Sequence, residues 1–190
     1  MTPSAAAGYV AGLFFLQDQV RFGAPAKSNV AGASDRRSSL YNSYAILAAL
    51  LVCFVLPKWL PHGFARLPSG NLVGWSGVGL GLLGIFTRLW AVLTLREQYT
   101  RTLQVQPGWS VVRRGPYRWV RHPGYLGSIM TWTGVALATA SALVIALTVA
   151  AILWAYGYRI GSEEAMLLDA YGDDYRAYQR RTRRLIPALW

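Results

Sequence analysis

Long apolar runs separated by short polar stretches set the plan of this chain. The first run long enough to cross a bilayer extends from about Leu40 to Leu60, with Pro57 and Pro61 at its exit; a span takes about 20 apolar residues. A second runs from about Leu72 to Leu95, after a short loop carrying Lys58, His62 and Arg66. Two shorter runs, about 124–139 and 142–158, meet at Ala140–Ser141 and read as a tight helical hairpin. An earlier stretch, Ala5–Leu16, is too short to span and has no basic segment before it. It predicts an interfacial helix, not a cleaved signal peptide. Residues 17–39 are polar and small and read as a surface linker. The pattern predicts an all-α, polytopic membrane protein with about four transmembrane helices. Residues 1–39 form its N-terminal interfacial helix and linker, and residues 40–190 its membrane domain. The domain ends in a charged, aromatic tail, 162–190, that starts as a helix.

Composition supports lipid as the solvent. Hydrophobic residues make up 54% of the 190 residues and charged residues 14%, against roughly a quarter in soluble domains. The net charge is +11, but the cations cluster at the ends of apolar runs, which suits anionic headgroups and not nucleic acid. Arg96, Arg101, Arg113, Arg114, Arg118 and Arg121 face one acid, Glu97, in the 96–123 segment, and Arg176, Arg180, Arg181, Arg183 and Arg184 crowd the tail. The 58–71 loop has only Lys58 and Arg66. By the positive-inside rule, both arginine-rich segments and both termini are expected in the cytoplasm, the membrane being the inner one if the source is a bacterium. The second run is rich in glycine, with Gly74, Gly77, Gly81 and Gly84 spaced to fall on adjoining helix faces, as close helix contact in lipid requires. The single cysteine, Cys53, cannot form an internal disulfide.

Three features carry chemistry. Arg88 stands inside an apolar run, where a cation costs roughly 2.5–3.5 kcal/mol on insertion scales unless it finds a partner. It is either a snorkelling or structurally paired cation, or a planar fork for a carboxylate or phosphate. Glu163 and Glu164 close the last run, with Arg159 one helical turn before Glu163. They are either a solvated helix end or a receptor for a cationic ligand. The segment Arg113–Gly127 holds Gly115-Pro116-Tyr117 and Arg121-His122-Pro123; Pro123 biases His122 out of the helix and presents it at a loop-to-helix junction. His62 and His122 fall on opposite sides of the membrane and no cysteine joins either, so a metal site is not expected.

The run Gly115-Pro116-Tyr117, Arg121-His122-Pro123, Tyr125-Leu126-Gly127 resembles the signature of isoprenylcysteine carboxyl methyltransferases and their bacterial relatives. Arg159, Glu163-Glu164, Leu167, Gly172, Tyr175, Tyr178 and Pro187 follow in the order that family shows, and upstream Arg88 and Gln104 match its intramembrane Arg and following Gln. The resemblance covers roughly residues 75–187. It implies a C-terminal half that cradles S-adenosylmethionine beneath the cytoplasmic membrane face. Gln104, Tyr117, His122, Pro123, Tyr125, Leu126, Arg159 and Glu163 would border the cofactor. Arg88, meeting the substrate, and Glu164, close to the cofactor, are the candidate catalytic residues. Trp109 departs from the family at a position often occupied by His.

The expected reaction is methyl transfer to a lipophilic acceptor with an anionic head that enters from the bilayer. A carboxylate is already a nucleophile at neutral pH, so the chemistry needs alignment and water exclusion and no general base. The competing readings are a phospholipid or amine N-methyltransferase, a sterol-type reductase using a nicotinamide cofactor, and a non-catalytic membrane subunit.

Overall fold

The computed structural model describes residues 1–17, 33–61, 64–99, 105 and 108–186. Five helices make up most of it: α1 (Pro3–Gln17), α2 (Ala33–Leu50), α3 (Gly70–Leu95), α4 (Pro123–Leu137) and α5 (Ala142–Arg181). Among the described residues there is no strand, only isolated bridges at Arg66–Ser141 and Val120–Arg183. α2 loosens into a π turn, Leu51–Val55, and a 3-10 turn, Leu56–Lys58. Pro57 causes this, because it has no N–H to donate and its ring crowds the carbonyl of the preceding turn. Residues 33–39, expected in a linker, are helical and begin α2.

Among the described residues, Arg37–Lys58, Gly70–Gln98 and Ala142–Arg181 are long and apolar enough to cross a membrane. The molecule is an integral membrane protein, with Leu47, Leu83, Phe86, Leu153 and Trp154 exposed on its outer surface. α4, expected to be a fourth crossing, has 15 residues and is about 22 Å long, short of the roughly 30 Å hydrocarbon core. α5 has 40 residues, or about 60 Å, so only its apolar first half, up to about Gly161, fits that core. Beyond it, Gly172 adopts φ 51, ψ −122 and bends the helix; a side chain would resist that positive φ.

α3 packs most extensively on α4. A Cβ on Gly77 would lie 2.6 Å from the Gly134 carbonyl, and one on Gly84 2.6 Å from the Gly127 carbonyl. The backbones therefore touch. The adjoining face of α3 receives α1: a Cβ on Gly74 would strike Pro3, and one on Gly81 would lie 2.9 Å from Val10. Gly127 also lies against the Arg88 backbone, with its added Cβ 2.6 Å from the Arg88 nitrogen. Gly127→Val is therefore expected to lower the melting temperature in detergent by several degrees, an overpacking cost of about 1–3 kcal/mol. Gly79→Ala, where a Cβ meets nothing within 4 Å, should not.

α1 corrects the expected layout. It is not a peripheral helix but packs on α3 and α4, with Ala7 and Phe14 each 1% exposed. It starts beside Cys53, Pro57, Phe64 and the Thr139–Ser141 turn and ends near Arg88, where Gln17 Nε2 donates to the Ile85 carbonyl (2.7 Å). The N-terminus thus lies at the end of the bundle opposite the C-terminal tail. The arginine-rich segments do meet: the Arg121 and His122 backbone N–H groups donate to the Arg183 and Arg184 carbonyls (2.7 and 3.1 Å).

Candidate active site

All five helices and the described residues of the polar segment between α3 and α4 line a cavity of about 680 Å³. Pro123 sits at the first helical position of α4, where its missing N–H costs nothing, and leaves His122 at φ −124, ψ 56. The imidazole is buried at 4% exposure and stacks on Tyr125 at 5.6 Å between ring centres and 16° between planes. The Gly-Pro turn, Gly115–Arg118, delivers Tyr117 to the same wall. The Tyr178 hydroxyl, from beyond the Gly172 bend, pins that turn by donating to the Tyr117 carbonyl (2.7 Å).

Arg159 rises from α5 into the opposite wall. Its Nε donates to the Tyr125 hydroxyl (2.9 Å), and its Nη1 to Ser39 (3.0 Å) and Ser38 (3.3 Å) of α2. Arg88, 8% exposed, closes the membrane-facing end. Its Nη1 donates to Ser128 of α4 (3.0 Å) and its Nη2 to the Tyr99 hydroxyl (3.0 Å). Its guanidinium carbon lies 5.0 Å from the centre of the Phe14 ring. Phe14 is held edge-on to the fully buried Trp132 at 5.4 Å.

The adjacent acids separate. Glu164 does not line the cavity. Its Oε1 accepts from Arg121 Nε (2.7 Å) and lies 3.3 Å from His122 Nε2, while its Oε2 accepts from Arg184 Nε (3.0 Å). Both oxygens are engaged by basic side chains, so Glu164 ties α5 to the loop and the tail and, unlike Glu163, does not face the cavity. Burial alone would raise its carboxyl, but His122 and Arg121 outweigh that and hold it at about 2. Glu163 does line the cavity. Its Oε2 is buried without a hydrogen-bond partner, and the nearest ring nitrogen, His122 Nδ1, stands 3.8 Å away.

Tyr117, His122, Tyr125, Arg159, Glu163 and Arg88 therefore border one space. Pro123 and Leu126 do not. Pro123 is consumed by the first turn of α4, and Leu126 is turned about 100° from Tyr125 by helix geometry. Gln104, His62 and Pro187 lie outside the described residues. Trp109 also lines the cavity. Sequence reasoning missed α2: Ser39, Asn42, Ser43 and Ile46 line the space. Their i, i+3, i+4, i+7 spacing places them on one helix face, and polar residues recurring on one face of an apolar span were the readable signal.

The sequence model of the isoprenylcysteine carboxyl methyltransferase family matches residues 77–169, from the α3–α4 contact to just past the two acids. A rice protein (Oryza sativa subsp. indica) described as "probable protein-S-isoprenylcysteine O-methyltransferase" is 26% identical over 151 residues, covering 77% of this chain and 74% of its own. The solved structure of a eukaryotic intramembrane Ras methyltransferase of the same family superposes with a TM-score of 0.62 at 25% identity, over 77% of this chain. In sequence and fold this chain is similar to the isoprenylcysteine carboxyl methyltransferase family. It spans about half of that solved chain, 52%. A Mycobacterium tuberculosis relative, methanethiol S-methyltransferase, is 28% identical over 160 residues, covering 77% of this chain and 63% of its own. Named relatives of this chain thus differ in the acceptor they methylate.

Proposed function

We propose that the chain transfers a methyl group from S-adenosylmethionine to the carboxylate of a lipophilic acceptor that enters from the bilayer. The observation that carries this reading is one cavity lined both by an oriented Arg88 and by Glu163, whose buried Oε2 has no hydrogen-bond partner.

The residues present fit the cofactor. Glu163 Oε2 and Asn42 Oδ1 both lack hydrogen-bond donors in the cavity wall and suit a cationic amino group. Arg159 suits a carboxylate by charge-assisted donation. The stacked rings of His122 and Tyr125, with Tyr117, offer flat faces to adenine. When bound, S-adenosylmethionine supplies an electrophilic methyl group on a sulfonium cation. The chain's own groups do the rest. Ser128 and Tyr99 fix the plane of the Arg88 guanidinium, so that it meets an acceptor carboxylate in a set orientation. Phe14, Phe15, Ile46 and Leu47 wall the adjoining space with apolar surface; this excludes water and strips the carboxylate of its hydration. A thiol or amine acceptor must lose a proton, which a guanidinium cannot take. A carboxylate needs no such step, and this favours an O-methyl product.

Titration of the purified protein with S-adenosylhomocysteine in detergent is expected to show saturable binding. Labelled methyl transferred to a membrane-extract acceptor should be released as methanol by mild alkali. Alkali-stable label would replace the carboxylate reading with an N- or S-methyl one. Stabilisation by NADPH alone would overturn the methyltransferase reading, because a ligand stabilises the state it binds.

The arginine-rich end, with Arg113, Arg114, Arg118 and Arg121, is assigned to the cytoplasm by the positive-inside rule. Ser69→Cys, in the exposed loop at the other end, should react with a membrane-impermeant maleimide only from the non-cytoplasmic face. Reaction from the cytoplasmic face alone would invert the molecule.

A further inference from the structure

We propose that the end of the bundle remote from the candidate active site holds the phosphate of an anionic phospholipid. A second cavity of about 560 Å³ lies there, and Thr2, Ser4, Lys58, Arg66, Thr139 and Ser141 supply its polar wall. None of these residues borders the first cavity.

The decisive feature is Ser141. It is 8% exposed, and its Oγ is buried with no hydrogen-bond partner. It occupies the N-cap position of α5, yet its hydroxyl makes no capping bond. A buried hydroxyl left unmatched costs stability, and one that borders a cavity is matched when a ligand fills that cavity. The surroundings state the ligand's charge. α1 and α5 both begin at this cavity, and helix N-termini carry partial positive charge and donors that suit anions. Lys58 and Arg66 add two full cations. Among the described residues that line the cavity there is no Asp or Glu to neutralise them.

The backbone fixes this arrangement. The Leu67 N–H donates to the Ala140 carbonyl (2.9 Å) and the Ala142 N–H to the Ala65 carbonyl (2.8 Å). Those two bonds clamp Arg66 beside Ser141.

Two observations select a lipid over a soluble anion. The remaining wall is apolar, with Phe54, Pro57, Leu60 and Phe64 beside the cations, as acyl chains joined to a phosphate require. Trp59, 82% exposed, and Phe64, 53% exposed, stand at the end of a membrane-crossing helix, where aromatic side chains sit at headgroup level. A zwitterionic headgroup would bring a cation towards Lys58 and Arg66, so the site discriminates in favour of a net negative one such as phosphatidylglycerol.

The test is lipid retention by the full chain, counted by native mass spectrometry after exchange into detergent with equal phosphatidylglycerol and phosphatidylcholine. The wild type should retain phosphatidylglycerol. Lys58→Gln/Arg66→Gln should retain about tenfold less, the size of losing a charge-assisted phosphate contact. Lys58→Arg/Arg66→Lys should retain it as the wild type does, and Ser141→Ala should show a few-fold loss. Lys58 is exposed at the end of a 3-10 turn, so Lys58→Gln alone serves if the double variant does not fold, and it should still lose several-fold. Equal retention by the charge-removed variants, or equal retention of phosphatidylcholine, overturns the proposal. So does full displacement by inorganic phosphate, which would mark a site for a soluble anion.

Discussion

Arg88→Ala is expected to reduce methyl-transfer turnover by about two to three orders of magnitude, the effect of losing roughly 2–4 kcal/mol of charge-assisted contact. Affinity for S-adenosylhomocysteine should stay within about twofold. The separation follows from the geometry: Arg88 is at the membrane end of the cavity, whereas Glu163, Arg159 and the stacked His122 and Tyr125 form the rest. Arg88→Lys should rescue poorly, because an ammonium is a point charge that cannot donate to Ser128, Tyr99 and a carboxylate in one plane. Ser128→Ala and Tyr99→Phe each free the guanidinium to rotate without removing it, so each should lower turnover about tenfold, one bond's worth of orientation. Joint loss of turnover, cofactor binding and thermal stability in Arg88→Ala would instead make Arg88 a structural cation. Full turnover would leave it without a role in the chemistry.

The class of fold was legible because lipid imposes a strong rule. Backbone groups must be satisfied within each segment, so long apolar runs with a charge deficit mean helices. Close packing of α3 was legible for a related reason, since glycines at 77, 81 and 84 on an apolar helix have little purpose except to admit a neighbour. The cavity wall was partly legible. His122 announces itself through Pro123, and Arg88 through the cost of its depth. What stayed hidden was the third dimension. Ala5–Leu16 carries no sign that α3 offers a glycine face to receive it, so a short apolar helix reads as interfacial when one face of it packs on α3 and α4. The same oversight hid Phe14, which lies against Arg88 across 74 positions of sequence. The division of labour between Glu163 and Glu164 was equally unreadable. Adjacent residues on a helix point about 100° apart, but which one faces the cavity depends on where Arg121 and Arg184 arrive.

That division makes the second large effect. Glu164→Ala is expected to cost about 3–5 kcal/mol, because it strands buried cationic partners. Arg121 dominates the loss, since its side chain is 9% exposed; Arg184, at 41%, is partly solvated and contributes little. In a chain of 190 residues this amounts to a melting temperature lower by about 10 °C. Glu163→Gln should behave in the opposite way. Its Oε2 makes no hydrogen bond and has only His122 Nδ1 nearby, at 3.8 Å, so stability should hold. S-adenosylhomocysteine affinity should fall by at least about tenfold, as loss of a charged hydrogen bond implies. pH provides an independent reading of the same pair. The Glu164 carboxyl is held at about 2 in the folded chain, against roughly 4.3 when unfolded. Its contribution is therefore complete above the unfolded value and is lost as pH falls from there through the folded value. Wild-type protein should lose melting temperature steeply across that window, and Glu164→Gln should lose less across it, having no carboxylate left to protonate. If instead Glu163→Gln melts early and Glu164→Gln loses only cofactor, the carboxylate facing the cavity has been assigned to the wrong residue. The candidate active site would then have to be rebuilt around the Arg121–Glu164–Arg184 cluster.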